Sequence, residues 1–129
     1  MFDIPDTMRM ARALTSHAAA REVVLARNVA NADTPGYKAR DLPDFNSVYR
    51  QQDGFQMRRT RATHLTDTDS YITATALPDP STEPSPNGNT VSLEDEMIRQ
   101  ASIRREHNLG LTVYRSSLSI LRSSLGKRG

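Results

Sequence analysis

Leu111-Thr112-Val113-Tyr114-Arg115-Ser116-Ser117-Leu118-Ser119-Ile120-Leu121-Arg122-Ser123-Ser124-Leu125 decides the fold. Leu111, Tyr114, Leu118, Leu121 and Leu125 alternate spacings of three and four, the rhythm of a helix that packs along a coiled-coil seam. Upstream, Met97 and Ala101 continue the stripe, and Ser92 is placed to cap a helix whose first turn holds Glu94, Asp95 and Glu96. Arg115, Arg122, Lys127 and Arg128 fall late, so the charges complement the helix dipole at both ends. Arg104, Asn108 and the helix-weakening Gly110 dilute the stripe midway, which predicts a bend or a polar contact there.

The other end of the chain answers this helix with a second one. Residues 7–32 contain no Gly or Pro and carry Ala11, Leu14, Ala18, Leu25, Val29 and Ala32 at spacings of three, four and seven. Asp6, after Pro5, is the expected N-cap. The stripe is thin because Ala is its commonest member, so neighbours can approach closely while each buried methyl contributes far less than the roughly 1.5–3 kcal/mol of a buried Leu. Helices of about 26 and 33 residues reach roughly 39 and 50 Å, longer than a compact domain of this size is wide. A lone pair of such rods would leave Leu111, Leu118 and Leu125 partly wet, so both stripes are expected to bury against each other and against other chains.

Between the rods, from Leu42 to Val91, the periodicity fails, and four of the seven prolines crowd into Pro78, Pro80, Pro84 and Pro86. Phe45–Gln52 suits a short helix; Phe55–Arg61 and Tyr71–Ala76 suit short strands. The expected fold class is mainly α: long N- and C-terminal helices in a coiled-coil-like layer around a loop-rich middle with a short helix and short β strands. The expected organisation is 1–41, an N-terminal helix with its turn; 42–91, the middle segment; and 92–129, a C-terminal helix that packs with the first as one core.

Composition narrows the function classes. The 129 residues are 36% hydrophobic and 25% charged with a formal charge of +2, which does not describe a nucleic-acid binder. No apolar run exceeds the four residues Val23–Ala26, too short to cross a bilayer as a helix, and the N-terminus lacks the basic and apolar regions of a cleaved secretory signal. The absence of cysteine removes disulfides, thiolate nucleophiles and sulfur-ligated zinc. His64 with Asp67 and Asp69 lacks a third imidazole or an ordered helix to present ligands, so a polar loop is expected there rather than a metal site. His17 and His107 read as surface or interface residues, and no histidine pairs with an evident nucleophile. No catalytic, cofactor or metal residues are expected. Arg58, Arg59 and Arg61 are the densest basic cluster and suit a solvated strand face or contacts with a neighbouring subunit. Arg104 reads as a snorkelling side chain, unless Arg21 shares a carboxylate such as Glu22 or Glu106 with it.

The first helix ends in a shaped turn, Asn28-Val29-Ala30-Asn31-Ala32-Asp33-Thr34-Pro35-Gly36-Tyr37-Lys38-Ala39-Arg40-Asp41. Pro35 fixes its own φ and Gly36 supplies a positive one, the pair that a type II turn wants at its centre. Asn28 and Asn31 bring amides that can satisfy the last helical carbonyls or cross to a neighbour, and Tyr37 offers a ring with a hydroxyl handle. This run resembles the signature of the flagellar basal-body rod proteins, carried by Asn28, Asn31, Asp33, Thr34, Pro35, Gly36, Tyr37, Lys38, Arg40 and Asp41. Asn87-Gly88-Asn89-Thr90-Val91-Ser92-Leu93-Glu94-Asp95-Glu96-Met97 resembles that family's approach to its C-terminal helix.

The resemblance implies a structural subunit of the proximal rod in the periplasm, carried there without a cleaved signal by the flagellar type III export apparatus. It implies that the terminal helices form an inner layer around the export channel and that the subunit passes torque from the MS ring to the distal rod. Implied partners are other copies of the chain, a FliE-like adaptor, FlgC-like and other rod proteins, the MS ring and the export gate. An FlgC-like rod subunit and a soluble helical adaptor of the export system are the alternatives.

Overall fold

The computed structural model describes residues 4–53 and 75–126. Its elements, in chain order, are α1 (Ile4–Ala30), β1 (Arg40–Asp41), α2 (Phe45–Asp53), β2 (Leu77–Pro78) and α3 (Leu93–Gly126). The fold is mainly α and dominated by the two long terminal helices. At about 1.5 Å per residue, α1 and α3 run roughly 40 and 51 Å.

Both ends of α1 differ from expectation by a few residues. The helix starts at Ile4, so Asp6 lies inside the first turn, pairing with exposed Arg9, and is not the N-cap. Pro5 is no obstacle there, since the first turn makes no use of its missing N–H. The far end stops at Ala30, not at residue 32. Asn31 makes the last i→i−4 bond, its backbone N–H and its side-chain amide both donating to the carbonyl of Arg27 at 3.1 and 2.8 Å, and the chain then tightens as Ala32 N–H donates to Val29 O. At α3 the expected cap forms: Ser92 Oγ accepts the N–H of Asp95, and Ser92 O accepts that of Glu96.

The rods pack antiparallel, since residues advancing along α1 meet residues receding along α3. Gly110 faces Ala11 and Thr15, Ile103 clusters with Ala18 and Leu25, and Glu96 meets Asn28. On α1 the buried Ala11, Ala18 and Leu25 lie seven apart; on α3 so do the buried Glu96, Ile103, Gly110 and Ser117. A repeat of seven keeps one narrow line of each helix facing its partner. That line on α3 is one residue out of step with the leucine seam, because Gly110 and Ser117 permit the closest approach. A Cβ on Gly110 would lie 2.4 Å from Thr15 Oγ1 and 3.0 Å from the Ala11 carbonyl oxygen. The helix runs unbroken through Gly110, and of the expected bend or polar contact the polar contact is present, Arg21 on α1 meeting Glu106 on α3.

The short strands pair antiparallel, Arg40 opposite Pro78 and Asp41 opposite Leu77, tying the returning chain beside the exit from α1. The expected strand Phe55–Arg61, and with it Arg58, Arg59 and Arg61, lies outside the described residues, as do His64, Asp67, Asp69, Lys127 and Arg128. Of Tyr71–Ala76, only Thr75 and Ala76 are described and neither is in a strand; pairing begins at Leu77, where Asp41 offers an opposite partner. The expected short helix is present as α2.

Candidate assembly interface and the lock that orients it

Two turns interlock at the end of the helix pair. Thr34-Pro35-Gly36-Tyr37 closes with Tyr37 N–H donating to Thr34 O at 3.2 Å, and Gly36 takes φ 74°, as a type II turn requires. Ser85-Pro86-Asn87-Gly88 closes with Gly88 N–H donating to Ser85 O at 2.8 Å, and Gly88 takes φ 81°. The tips meet glycine to glycine: Gly36 N–H donates to Asn87 O at 3.0 Å, and a Cβ on Gly88 would sit 3.4 Å from Gly36 Cα. Below them Thr90 N–H donates to Tyr37 O, and Thr90 Oγ1 accepts the N–H of Ala39 at 2.7 Å.

Two buried asparagines fasten these turns to the rods. Asn28 donates to Arg40 O at 2.7 Å and to Glu96 Oε1 at 3.1 Å, and its oxygen accepts from Arg40 N–H and Tyr37 Oη–H. All the groups of one amide are thereby used in joining α1, the turn, β1 and α3. Asn89 shares its two amide hydrogens among the carbonyls of Asn31, Ala32 and Thr34 at 2.8–2.9 Å, and its oxygen accepts the N–H of Val91. It braces the turn that follows α1 from the far side of the sequence, satisfying carbonyls at residues 31, 32 and 34 that lie just beyond the helix end.

Charges brace the same joint. Arg21 makes a two-pronged contact with Asp41, 3.1 and 2.8 Å, and reaches Glu106 at 3.3 Å, so α1, β1 and α3 share one guanidinium. The hydrogen bond to Asp41 is the chief cause holding Arg21 more firmly protonated than a free arginine. Arg99 pairs with Asp79 and with Glu96 at 3.2 Å. Burial pushes the Asp79 carboxyl up, but hydrogen bonds from Ser81, together with Arg99, outweigh it and leave the group below its ordinary value. Glu96 goes the other way: burial raises its pKa against the pull of Arg99 and Asn28, and its Oε2 has no hydrogen-bond partner. His17 is fully buried, with Nε2 2.9 Å from Pro43 O and its ring edge-on to Phe45 at 5.7 Å. A carbonyl partner requires the proton on Nε2, which leaves Nδ1 buried without a partner; burial lowers the pKa and keeps the ring neutral.

The lock fixes which faces point outward. Leu125 is 77% exposed, Met97 and Ile98 are each 71% exposed, and Leu93, Leu109, Ile120, Val23 and Val29 are also exposed. No helix of the described residues is long and apolar enough to cross a membrane. Large apolar side chains therefore stay uncovered on two rods whose mutual orientation is set by polar joints.

Comparison with known proteins agrees. Residues 11–38 match the family model described as flagella basal body rod protein. The flagellar basal body rod protein FlgB of Salmonella typhimurium is 38% identical over 109 residues, 78% of each chain. The chain belongs to the FlgB family of flagellar basal body rod proteins. The FlgB of Escherichia coli K12 is 38% identical over 104 residues, 73% of this chain and 74% of its own. That of Bacillus subtilis is 33% identical over 88 residues, 67% of each. Like the rest of the FlgB family, the chain is a structural subunit of the basal body rod.

The residues singled out in the sequence fall into two groups. Asn28, Asn31, Thr34, Pro35, Gly36, Tyr37, Lys38, Arg40 and Asp41 all take part in the turn and its bonds, while Asp33 is exposed. Of the stripe residues, Ala11, Ala18 and Leu25 are buried against α3 within the chain. Leu14, Ala32, Leu111, Tyr114, Leu118 and Leu121 are half-buried, and Val29, Met97, Ala101 and Leu125 are exposed. Asn89, Thr90 and Glu96 escape a reading by hydropathy because they are polar and buried; the signal available was the second motif, whose partner is the first. His17, expected at a surface or interface, is buried within the chain, because α1 presents it to the Pro43–Phe45 segment. Arg21 does meet Glu106, the carboxylate named for it, while Arg104 stays exposed.

Proposed function

We propose that the subunit enters the rod through the sides of α1 and α3 that its own fold leaves uncovered, and that 1–41 and 92–129 act there as one axial unit with 42–91 directed outward. Ala11, Ala18 and Leu25 hold the two rods together, and Leu14, Val29, Ala32, Met97, Ala101, Leu111, Tyr114, Leu118, Leu121 and Leu125 meet neighbouring chains. The neighbours are copies of the chain, a FliE-like adaptor, FlgC-like and other rod proteins, the MS ring and the export gate. The assembly stands in the periplasm, is reached by type III export, and carries torque from the MS ring to the distal rod. The supporting observation is that the buried line of the 34-residue α3 is Glu96, Ile103, Gly110 and Ser117, while Met97 and Leu125 remain at 71% and 77% exposure. A contact from the α1 side of one subunit to the α3 side of the next is heterologous, and where its rotation does not close it builds a helical tube.

Met97→Asp and Leu125→Asp test this, because both side chains are exposed in the subunit and their loss leaves its own packing alone. The expected result is a variant with unchanged helical circular dichroism and unfolding midpoint that is missing from purified basal bodies and leaves cells non-motile. Normal incorporation and swimming in both variants would refute the proposal.

A further inference from the structure

We propose that Asn87 is a site of spontaneous deamidation whose rate is governed by the docking of the two turns. Glycine after asparagine leaves the following backbone nitrogen without steric cover, and Asn87-Gly88 is the Asn-Gly pair of the sequence. The reaction is internal. The Gly88 nitrogen gives up its proton and attacks Cγ of Asn87, an N–C bond forms, the Cγ–N bond breaks, the side-chain nitrogen takes up a proton and leaves as ammonia, and a five-membered succinimide remains. Water then opens the ring at either carbonyl, giving aspartate or isoaspartate at position 87.

The folded arrangement engages both reacting groups in hydrogen bonds. Gly88 N–H is committed to Ser85 O at 2.8 Å, and Asn87 Oδ1 accepts the N–H of Asn89 at 3.1 Å. The Asn87 carbonyl is taken by Gly36 N–H at 3.0 Å, the Gly88 carbonyl by Lys38 Nζ at 3.2 Å, and Gly88 stands against Gly36. Ring closure needs the Gly88 nitrogen freed and the Asn87 side chain turned toward it, so the turn must first leave its seat; reaction then proceeds through local opening. The product damages the lock that protected it. Isoaspartate routes the main chain through the side-chain carbon and lengthens it by one methylene, which moves Asn89 away from the Asn31, Ala32 and Thr34 carbonyls it caps.

The full chain is aged at mildly alkaline pH in buffer and in concentrated urea, with conversion at position 87 followed by peptide mass spectrometry and isoaspartyl methyltransferase labelling. The folded chain should react roughly ten- to a hundredfold more slowly than the unfolded one, the range expected for opening of a surface segment. Asn89→Ala, which removes the clamp but neither reacting group, should raise the rate in buffer at least roughly tenfold and leave the rate in urea unchanged. Gly36→Ala, which strains only the facing turn, repeats the test if Asn89→Ala loses its helical signal. Asn87→Asp, which keeps the acceptor and the backbone length, should retain near-normal stability, whereas isoaspartate-containing chain should not. Equal rates in buffer and urea, no conversion at position 87 in urea, or no acceleration in either clamp variant would each overturn the proposal.

Discussion

Replacing Gly110 by Ala separates two readings of that glycine. In an open helix interior the change should stabilise by about 1 kcal/mol, the propensity difference between the residues. At the α1 crossing the new Cβ would lie 2.4 Å from Thr15 Oγ1, 3.0 Å from Ala11 O and 3.3 Å from the Thr15 nitrogen. Two of those three neighbours are backbone, and the third cannot swing aside without losing its 2.9 Å hydrogen bond to Ala11 O. Overpacking of this kind costs about 1–3 kcal/mol, which outweighs the propensity gain and leaves a net loss of about 1 kcal/mol. Urea unfolding followed by circular dichroism reads the value. The control is Gly110→Ala in a Thr15→Ala background: with the hydroxyl gone only the two backbone contacts remain, so the penalty should shrink by about 1 kcal/mol and the two substitutions should couple. If Gly110→Ala alone raises stability by about 1 kcal/mol, the helices do not meet at that point and the small-residue seam is wrong.

Asn28→Ala should cost about 2–4 kcal/mol in urea unfolding, because it strands the N–H and C=O of Arg40 and removes a donor from Glu96. Gly36→Ala and Gly88→Ala both force a left-handed φ on a side chain that meets no close contact, and should each cost about 1–2 kcal/mol in urea unfolding. His17 links stability to pH. Its folded pKa lies below the ordinary 6.5, so between the two values the unfolded chain binds the extra proton. Stability should therefore be full above 6.5 and decline as pH falls below it, and His17→Gln should flatten that part of the profile. Glu96 has the opposite sign: its folded pKa lies above 4.5, so stability falls as pH rises from 4.5 through the folded value, and Glu96→Gln should remove that fall.

The rods and the type II turn were legible because their signals are local. A spacing of three and four, a Pro-Gly pair and an absence of helix breakers act within a few residues and do not depend on distant partners. The seam between the rods was less legible. Hydropathy gives weight to Leu111 and Leu118, whereas close packing selects Gly110 and Ser117, one position earlier, because the smallest side chains let two backbones come nearest. The lock was hardest to read. Asn28 and Asn89 look like ordinary turn residues, and nothing in either stretch says that its partner lies about sixty positions away. Glu96 reads as a solvent-facing first-turn acid and is 2% exposed, a change brought about by Asn28 and Arg99 on either side of it.

The sharing of roles between polar and apolar residues follows from the thinness of the core. Ala18, Leu25 and Ile103 form the buried apolar cluster, too few large side chains to fix how two rods of this length cross. Hydrogen bonds are directional where apolar contact is not, so Asn28, Asn89, Arg21 and Arg99 can set the angle that three apolar residues leave loose. Each of them touches a segment of the chain other than its own, which makes the joint sensitive to position as well as to distance. A subunit that orients its rods with polar contacts at one end keeps its large apolar side chains free along the rest. Those side chains, Met97, Ile98, Leu109, Ile120 and Leu125, stay exposed on the subunit, and on the proposed reading they supply the many shallow helix contacts of the rod.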